Sequence, residues 1–231
     1  MNNRSLVAAS LITAGAVSMS ASAALVAGWS MPTAVAAATT GTNYNYGAAN
    51  LGDATSGTML SGFHAVAATT WSSPGGNGST YSLSSNNWSI GDYYQVSLST
   101  TGYADPITLS FDQTRSSTGP ATFAVLMSID GGSNFTTVLA SYSVVQAGGA
   151  GTGTSSWNAT TNQPTAFTTT VSGLSAAAGQ ASVIFRIQST VTTTAAGTNR
   201  VDNINVFSGA VPTPGAIALL GVAGLVGRRR R

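Results

Sequence analysis

The chain has no cysteine, no lysine and no glutamate, and it has a single histidine among 231 residues. Without cysteine there is no disulfide framework and no Cys-His nucleophile, and without lysine no Schiff base. Glutamate-based acid catalysis is excluded with them. A zinc site takes three or four Cys, His or carboxylate ligands, so one imidazole leaves only aspartates to complete it. Charge itself is scarce, at 6% of residues against about 25% in an average domain.

The formal net charge of +2 comes from the ends. Arg4, Arg228, Arg229, Arg230 and Arg231 are terminal, and between them three Arg face six Asp, which leaves −3 for the body. Nucleic-acid binding needs basic residues spread over one face of a folded domain, so no nucleic-acid partner is expected. What the chain has instead is hydroxyl groups: Ser and Thr supply 63 residues, Gly adds 27, and hydrophobic residues stand at 43%. That is too apolar for a disordered chain. It describes a folded domain under a hydroxyl-covered surface, with no catalytic machinery in view.

Both ends carry addresses. Arg4 precedes an apolar stretch from Leu6 to Val17, and small residues end in Ala21-Ser22-Ala23, the pattern of an export signal cleaved between Ala23 and Ala24. The expected domains are a signal peptide at 1–23, a folded body at 24–210 and a terminal segment at 211–231. The body is long enough to bury a core without disulfides. At the other end, Pro212 and Pro214 remove two backbone donors and fix φ, so the fold is expected to stop before Val211. An apolar run, 215–227, then meets Arg228 to Arg231, and arginines beside such a run stay on the cytoplasmic side. As a helix the run reaches about 20 Å, short of the roughly 30 Å hydrocarbon core, which makes it a poor permanent anchor.

The order of these parts, Val211, Pro212, Pro214 and Gly215, then the hydrophobic stretch, then Arg228, Arg229, Arg230 and Arg231, resembles the PEP-CTERM sorting signal of bacteria that carry an exosortase. Thr213 stands where that family usually has Glu. The resemblance implies an exported protein delivered to the cell surface or extracellular matrix. It implies the secretion translocon and an exosortase-like membrane enzyme as partners, with transient insertion in the inner membrane.

The body reads as all-β. Tyr94, Val96 and Leu98 alternate with Gln95, Ser97 and Ser99. Ile107, Leu109 and Phe111 alternate with Thr108, Ser110 and Asp112, and the period-two recurrence continues in Phe123, Val125, Met127 and Ile129, then Phe167, Thr169 and Val171, then Val183, Phe185 and Ile187. Such alternation marks half-buried strands. Gly-rich turns at 73–78, 130–132 and 148–153 separate them. Eight to ten strands at this spacing fit one antiparallel β-sandwich, jelly-roll-like, flanked by the signal peptide and a short C-terminal hydrophobic helix. The stretch 112–120 followed by Ser128-Ile129-Asp130-Gly131-Gly132 resembles a strand pair and hairpin of the jelly rolls that accompany such sorting signals, and 199–206 resembles their closing strand.

Three candidate sites follow. A Ser-His-Asp triad through His64 is formally open, but there is no Gly-x-Ser-x-Gly elbow, and His64 reads as a polar strand or loop residue. Calcium prefers carboxylate and carbonyl oxygens, and related jelly rolls hold an ion near their terminal strands; Asp202 and Asn203 are its candidate ligands. Asp202 has two other readings, a pair with Arg200 or a turn cap. For sugar binding, Trp71 and Trp157, beside glycine-rich loops, are the candidate platforms, whereas Trp88 and Tyr93 read as core. Carbohydrate binding on extracellular polysaccharide is thus the alternative to a purely structural surface protein, and a secreted hydrolase built on Asp112, Asp130 or Asp202 stands behind both.

Overall fold

The computed structural model describes residues 23–149 and 154–209. Residues 1–22, Ala21 of the expected cleavage site among them, lie outside this range, as do 211–231 with the whole expected sorting signal and its helix. Among the described residues no helix is long and apolar enough to cross a membrane.

Among the described residues, twelve strands form two antiparallel sheets. They are β1 (Ala24–Trp29), β2 (Asn43–Gly47), β3 (Met59–Phe63), β4 (Trp71–Ser72), β5 (Leu83–Ser85), β6 (Tyr93–Leu98), β7 (Ile107–Arg115), β8 (Thr122–Ser128), β9 (Thr136–Ser143), β10 (Thr168–Val171), β11 (Val183–Ser189) and β12 (Asn199–Ser208). The first sheet runs β10-β7-β12-β5-β4, with β1 also on β12; the second runs β2-β3-β6-β11-β8-β9. β5 covers the first part of β12 and β1 the last, while β7 follows nearly all of its other side.

The expected alternation is what closes the sandwich. Tyr94, Val96 and Leu98 on β6 and Val183, Phe185 and Ile187 on β11 are buried, and each odd or even partner between them is only half-buried. They meet Ile107, Leu109 and Phe111 of β7 and Val201, Ile204 and Val206 of β12 in one apolar core. Two positions depart from the pattern. Ile129 lies past the end of β8 and is 41% exposed, because the chain has already entered the Asp130 turn. Phe167 ends a four-residue helix, α1 (Pro164–Phe167), and β10 starts after it.

The resemblance at 112–132 is corrected in part. β8 and β9 are joined through the Asp130-Gly131-Gly132 turn, as expected of a hairpin. β7 and β8, however, belong to different sheets, so the segment between them crosses the sandwich rather than turning within one sheet. The hairpin turn is built by side chains: Asp130 accepts from the Asn134 N–H at 3.0 Å and from Asn134 Nδ2 at 2.8 Å, and Ser128 Oγ donates to it at 2.7 Å. Those bonds to the charged form hold the Asp130 carboxyl down at about 2.

Candidate functional site

Three polar constellations stand out, one in the core and two on outer faces. The first answers the question raised by the lone histidine. His64 Nδ1 lies 3.0 Å from Asp92 Oδ2, and His64 Nε2 lies 2.9 Å from Ser85 Oγ. Ser85 Oγ meets the Tyr94 hydroxyl at 3.1 Å, which donates to the Asn199 carbonyl at 2.7 Å. The connectivity is that of a Ser-His-Asp triad, assembled from residues far apart in sequence. Its setting is different: His64 is 0%, Ser85 1% and Asp92 1% exposed, and the imidazole is packed edge-on against Trp88 at 4.3 Å and Trp71 at 5.0 Å. No substrate carbonyl can reach Ser85 there. The relay satisfies buried polar atoms of the core, so His64, in the loop directly after β3, is a buried partner and not an accessible base.

The second constellation lies on the outer face of the first sheet. Asp112 of β7 and Asp202 of β12 face each other directly across the ladder and are 4% and 0% exposed. Like charges at such a position oppose one another. A bulge between Asp202 and Asn205, with Asn203 at φ +46°, turns both Asp202 and Asn203 toward the same point. Asp202 Oδ2 accepts from the Asn77 N–H at 2.7 Å and from Ser79 Oγ at 2.5 Å. Asp112 Oδ2 accepts from Asn77 Nδ2 at 3.0 Å and Asn203 Nδ2 at 2.9 Å, and Thr168 Oγ1 reaches Asp112 Oδ1 at 2.5 Å. Burial, chiefly, and the neighbouring Asp112 push the Asp202 carboxyl up to about 6 against these hydrogen bonds.

Asp202 does not pair with Arg200: among the described residues no arginine lies within ion-pair distance of a carboxylate. What closes over the two carboxylates is the loop through Asn77 and the segment through Gln163, whose N–H donates to Asn77 Oδ1 at 2.8 Å. Gly76 is required here, since a Cβ would stand 2.0 Å from Ser79 Oγ and 2.3 Å from Asp202 Oδ2. Among the described residues no three His, Cys, Asp or Glu side chains gather. The donor set is two carboxylates with amide, hydroxyl and carbonyl oxygens from Asn77, Ser79, Asn203, Gln163 and Thr168. As they stand, Asn77 and Asn203 turn their amide N–H groups to Asp112, and Asn77 Oδ1 is taken by the Gln163 N–H, so the cluster is satisfied internally. The carboxylate oxygens of Asp112 and Asp202 are the hard donors that a divalent cation would use, and only the β7–β12 register brings Asp112 opposite Asp202. Covered in this way, the pair is also closed to a glycosidic bond.

The third constellation is on the outer face of the second sheet. Phe63 of β3 and Tyr93 of β6 are directly opposite one another, with ring centroids 5.4 Å apart. Arg186 of β11 places its guanidinium 4.1 Å from the Tyr93 ring centroid and 3.9 Å from that of Phe135, and donates from Nε to Gln95 Oε1 at 2.8 Å. Phe63, Tyr93, Gln95, Phe135, Arg186 and Gln188 are all half-buried, which leaves each with an accessible edge. Tyr93 is thus not core. The signal was present: Tyr93 has the parity of Gln95 and Ser97, opposite to that of Tyr94 and Val96.

The two tryptophans expected to bind sugar are corrected as well. Trp71 is 1% exposed, stacks on Tyr44 at 5.5 Å and donates from its indole N–H to the Gly41 carbonyl at 2.9 Å. Trp157 is 5% exposed and lies edge-on to Phe167 at 5.5 Å with Arg200 over its ring. A neighbouring glycine-rich loop says nothing about burial when a large aromatic is available to fill the space beneath it.

No protein-family model matches the chain, and no curated protein matches it. Among solved structures, the K3 cleaved adhesin domain of Lys-gingipain from Porphyromonas gingivalis is 18% identical, covering 81% of this chain and 99% of that one, with a TM-score of 0.44. The CBM22-1 xylan-binding domain of Paenibacillus barcinonensis Xyn10C is 11% identical, covering 83% and 100%, with a TM-score of 0.43. A family 11 carbohydrate-binding module from Clostridium thermocellum is 12% identical, covering 81% and 99%, with a TM-score of 0.33. Identities and scores of this size assign no ligand.

Proposed function

We propose that the chain is an exported surface protein whose sandwich binds polysaccharide without turning it over, and whose residues 211–231 sort it to the cell surface. The observation that carries the binding reading is the outer face of the second sheet. A sheet face turned to solvent is ordinarily covered by small polar groups, and this domain has hydroxyls to spare. Here it carries Phe63, Tyr93 and Phe135 with Arg186, Gln95 and Gln188 between them. Apolar ring edges suit the C–H faces of sugars, and the guanidinium and amides suit their hydroxyls. The ladder contacts of β3, β6 and β11 fix the spacing, so little order is lost on binding.

Affinity electrophoresis through soluble polysaccharides tests this. Tyr93→Ala is expected to weaken retention roughly 30-fold, the equivalent of about 2 kcal/mol for an aromatic anchor, with little change in Tm. Retention by no polysaccharide, or retention unchanged by Tyr93→Ala, refutes the reading.

For sorting, the support is the order of Val211, Pro212, Pro214, Gly215, hydrophobic run and Arg228 to Arg231. Mature surface protein is expected to lack all four terminal arginines and to end between Pro212 and Gly215 by mass spectrometry. An intact C-terminus on surface protein leaves a plain anchor. Calcium belongs to the same proposal, with Asp202, Asn203 and Asp112 as ligands; it would neutralise the facing carboxylates and fix the loop of Asn77 to β12.

A further inference from the structure

On the opposite face from the aromatic strip, we propose that a groove beside Arg115 and Arg200 is a binding site for a carboxylate-bearing sugar, a hexuronate within a glycan. The groove has a volume of about 350 Å³ and is lined by Ser72, Ser84, Thr114, Ser116, Thr198 and the two arginines, with Pro74 and Ala147. That is the lower end of the range for small-molecule sites, about 300–1,000 Å³.

Its floor is a register line across four strands: Ser72 faces Ser84, Ser84 faces Arg200, and Arg200 faces Thr114. Its rim is locked. Ser116 N–H donates to the Thr198 carbonyl at 3.0 Å, and Thr198 N–H returns a bond to Ser116 Oγ at 3.0 Å. A Cβ on Gly119 would come within 2.0 Å of the Thr198 carbonyl oxygen, so these two segments touch backbone to backbone.

The cations are what the fold leaves unanswered. The body holds only Arg115, Arg186 and Arg200. Two of the three line this groove, and neither has a carboxylate within ion-pair distance among the described residues. Arg115 is held by three carbonyls, donating from Nε to Val144 at 3.1 Å and from Nη1 to Ser116 at 3.1 Å and Ser117 at 3.2 Å. Arg200 donates from Nη1 to the Gly75 carbonyl at 3.2 Å and lies 5.3 Å from the Trp157 ring centroid. Both guanidiniums are therefore oriented in advance, while Nη2 of Arg115 and both Nε and Nη2 of Arg200 have no acceptor among the described residues. A half-buried guanidinium with free N–H groups matches a planar carboxylate, which it can grip through two parallel bonds. The surrounding hydroxyls match the sugar ring that carries it. The nearest protein anion, Asp202, belongs to the cluster one step along β12, and its field falls on Arg200 without a contact.

This site is independent of the aromatic strip, and the test separates them. Isothermal titration of the purified full chain with oligogalacturonate is expected to show binding that falls at least tenfold when the same oligomer is methyl-esterified, a change that leaves the protein untouched. Arg200→Gln is expected to give the same loss with the acid and no further loss with the ester, Arg200→Lys an intermediate one, and Tyr93→Ala none. Binding weakens with added salt, because the contact is ionic and partly exposed. Equal affinity for acid and ester, an undiminished affinity in Arg200→Gln, or equal affinity for inorganic sulfate alone overturns the proposal.

Discussion

Asp92→Ala is expected to lower the unfolding free energy by about 3–5 kcal/mol, because three donors lose a carboxylate acceptor, at about 1–3 kcal/mol for each that stays unsatisfied. For a domain of this size that corresponds to a fall in Tm of about 10 °C. Three donors lose their acceptor at once: His64 Nδ1 at 3.0 Å, the Ala65 N–H at 2.9 Å and the Ser89 N–H at 2.6 Å. The imidazole cannot turn to water, since Asp92 and His64 are 1% and 0% exposed beneath Trp71 and Trp88. The loss propagates, because the imidazole is also the partner of Ser85, and Ser85 of Tyr94. Asp92→Asn keeps the volume and one acceptor oxygen and is expected to lose less than the alanine variant. Thermal unfolding of the two variants and of Asp92→Ala combined with His64→Phe checks the account. The double variant replaces the polar relay by apolar surface and is expected to recover part of the loss. A loss below about 1 kcal/mol for Asp92→Ala would mean that water enters the core and that the relay is not sealed.

Local pattern made the central strands legible, because burial of one face forces alternation whatever the partner. β6, β7 and β11 follow from their own residues, and the Asp130 turn from its glycines. β1 did not show itself: Ala24-Leu25-Val26-Ala27-Gly28-Trp29 has no alternation, since its last four residues are all buried, and it sits directly after an export-type segment. β4 and β5 have two and three residues, too few to carry a period. The candidate sites were harder still. Asp202 and Asn203 were legible as a pair of adjacent oxygen donors, but Asp112 stands 90 positions earlier, and only the β7–β12 register brings it opposite. The same holds for His64, Ser85 and Asp92, which meet through the ends of β3, β5 and β6. Aromatic residues misled for a different reason. A glycine-rich loop beside Trp71 or Trp157 does not report burial, and residue type does not report the side of Tyr93, whereas strand parity alone puts Tyr93 on the solvent side.

In chelator, this domain is expected to become more stable as the pH falls from 7 to about 4.5, against the usual trend for a chain that carries acids. The Asp202 carboxyl stands at about 6 when folded and at 3.8 in the reference chain, so the folded state holds the proton more tightly between those values. Stability conferred by protonation is thus absent above the folded value and gained on passing down through it, by about 2–3 kcal/mol or a Tm rise of about 5–10 °C. Below about 4 the trend reverses, because Asp130, held at about 2, then loses the hydrogen bonds that favour its charged form. A divalent cation acts on the same carboxylates with the opposite sign. Calcium at 100 times its Kd is expected to add about 3 kcal/mol at pH 7 and nothing near pH 4.5, where the ligands are protonated. Asp202→Asn removes both responses while keeping the shape of the side chain. A Tm in chelator that is flat or falling from pH 7 to 4.5 would show that the two facing acids are not buried together, and no shift with calcium at pH 7 would remove the cation from the account while leaving the buried pair in place.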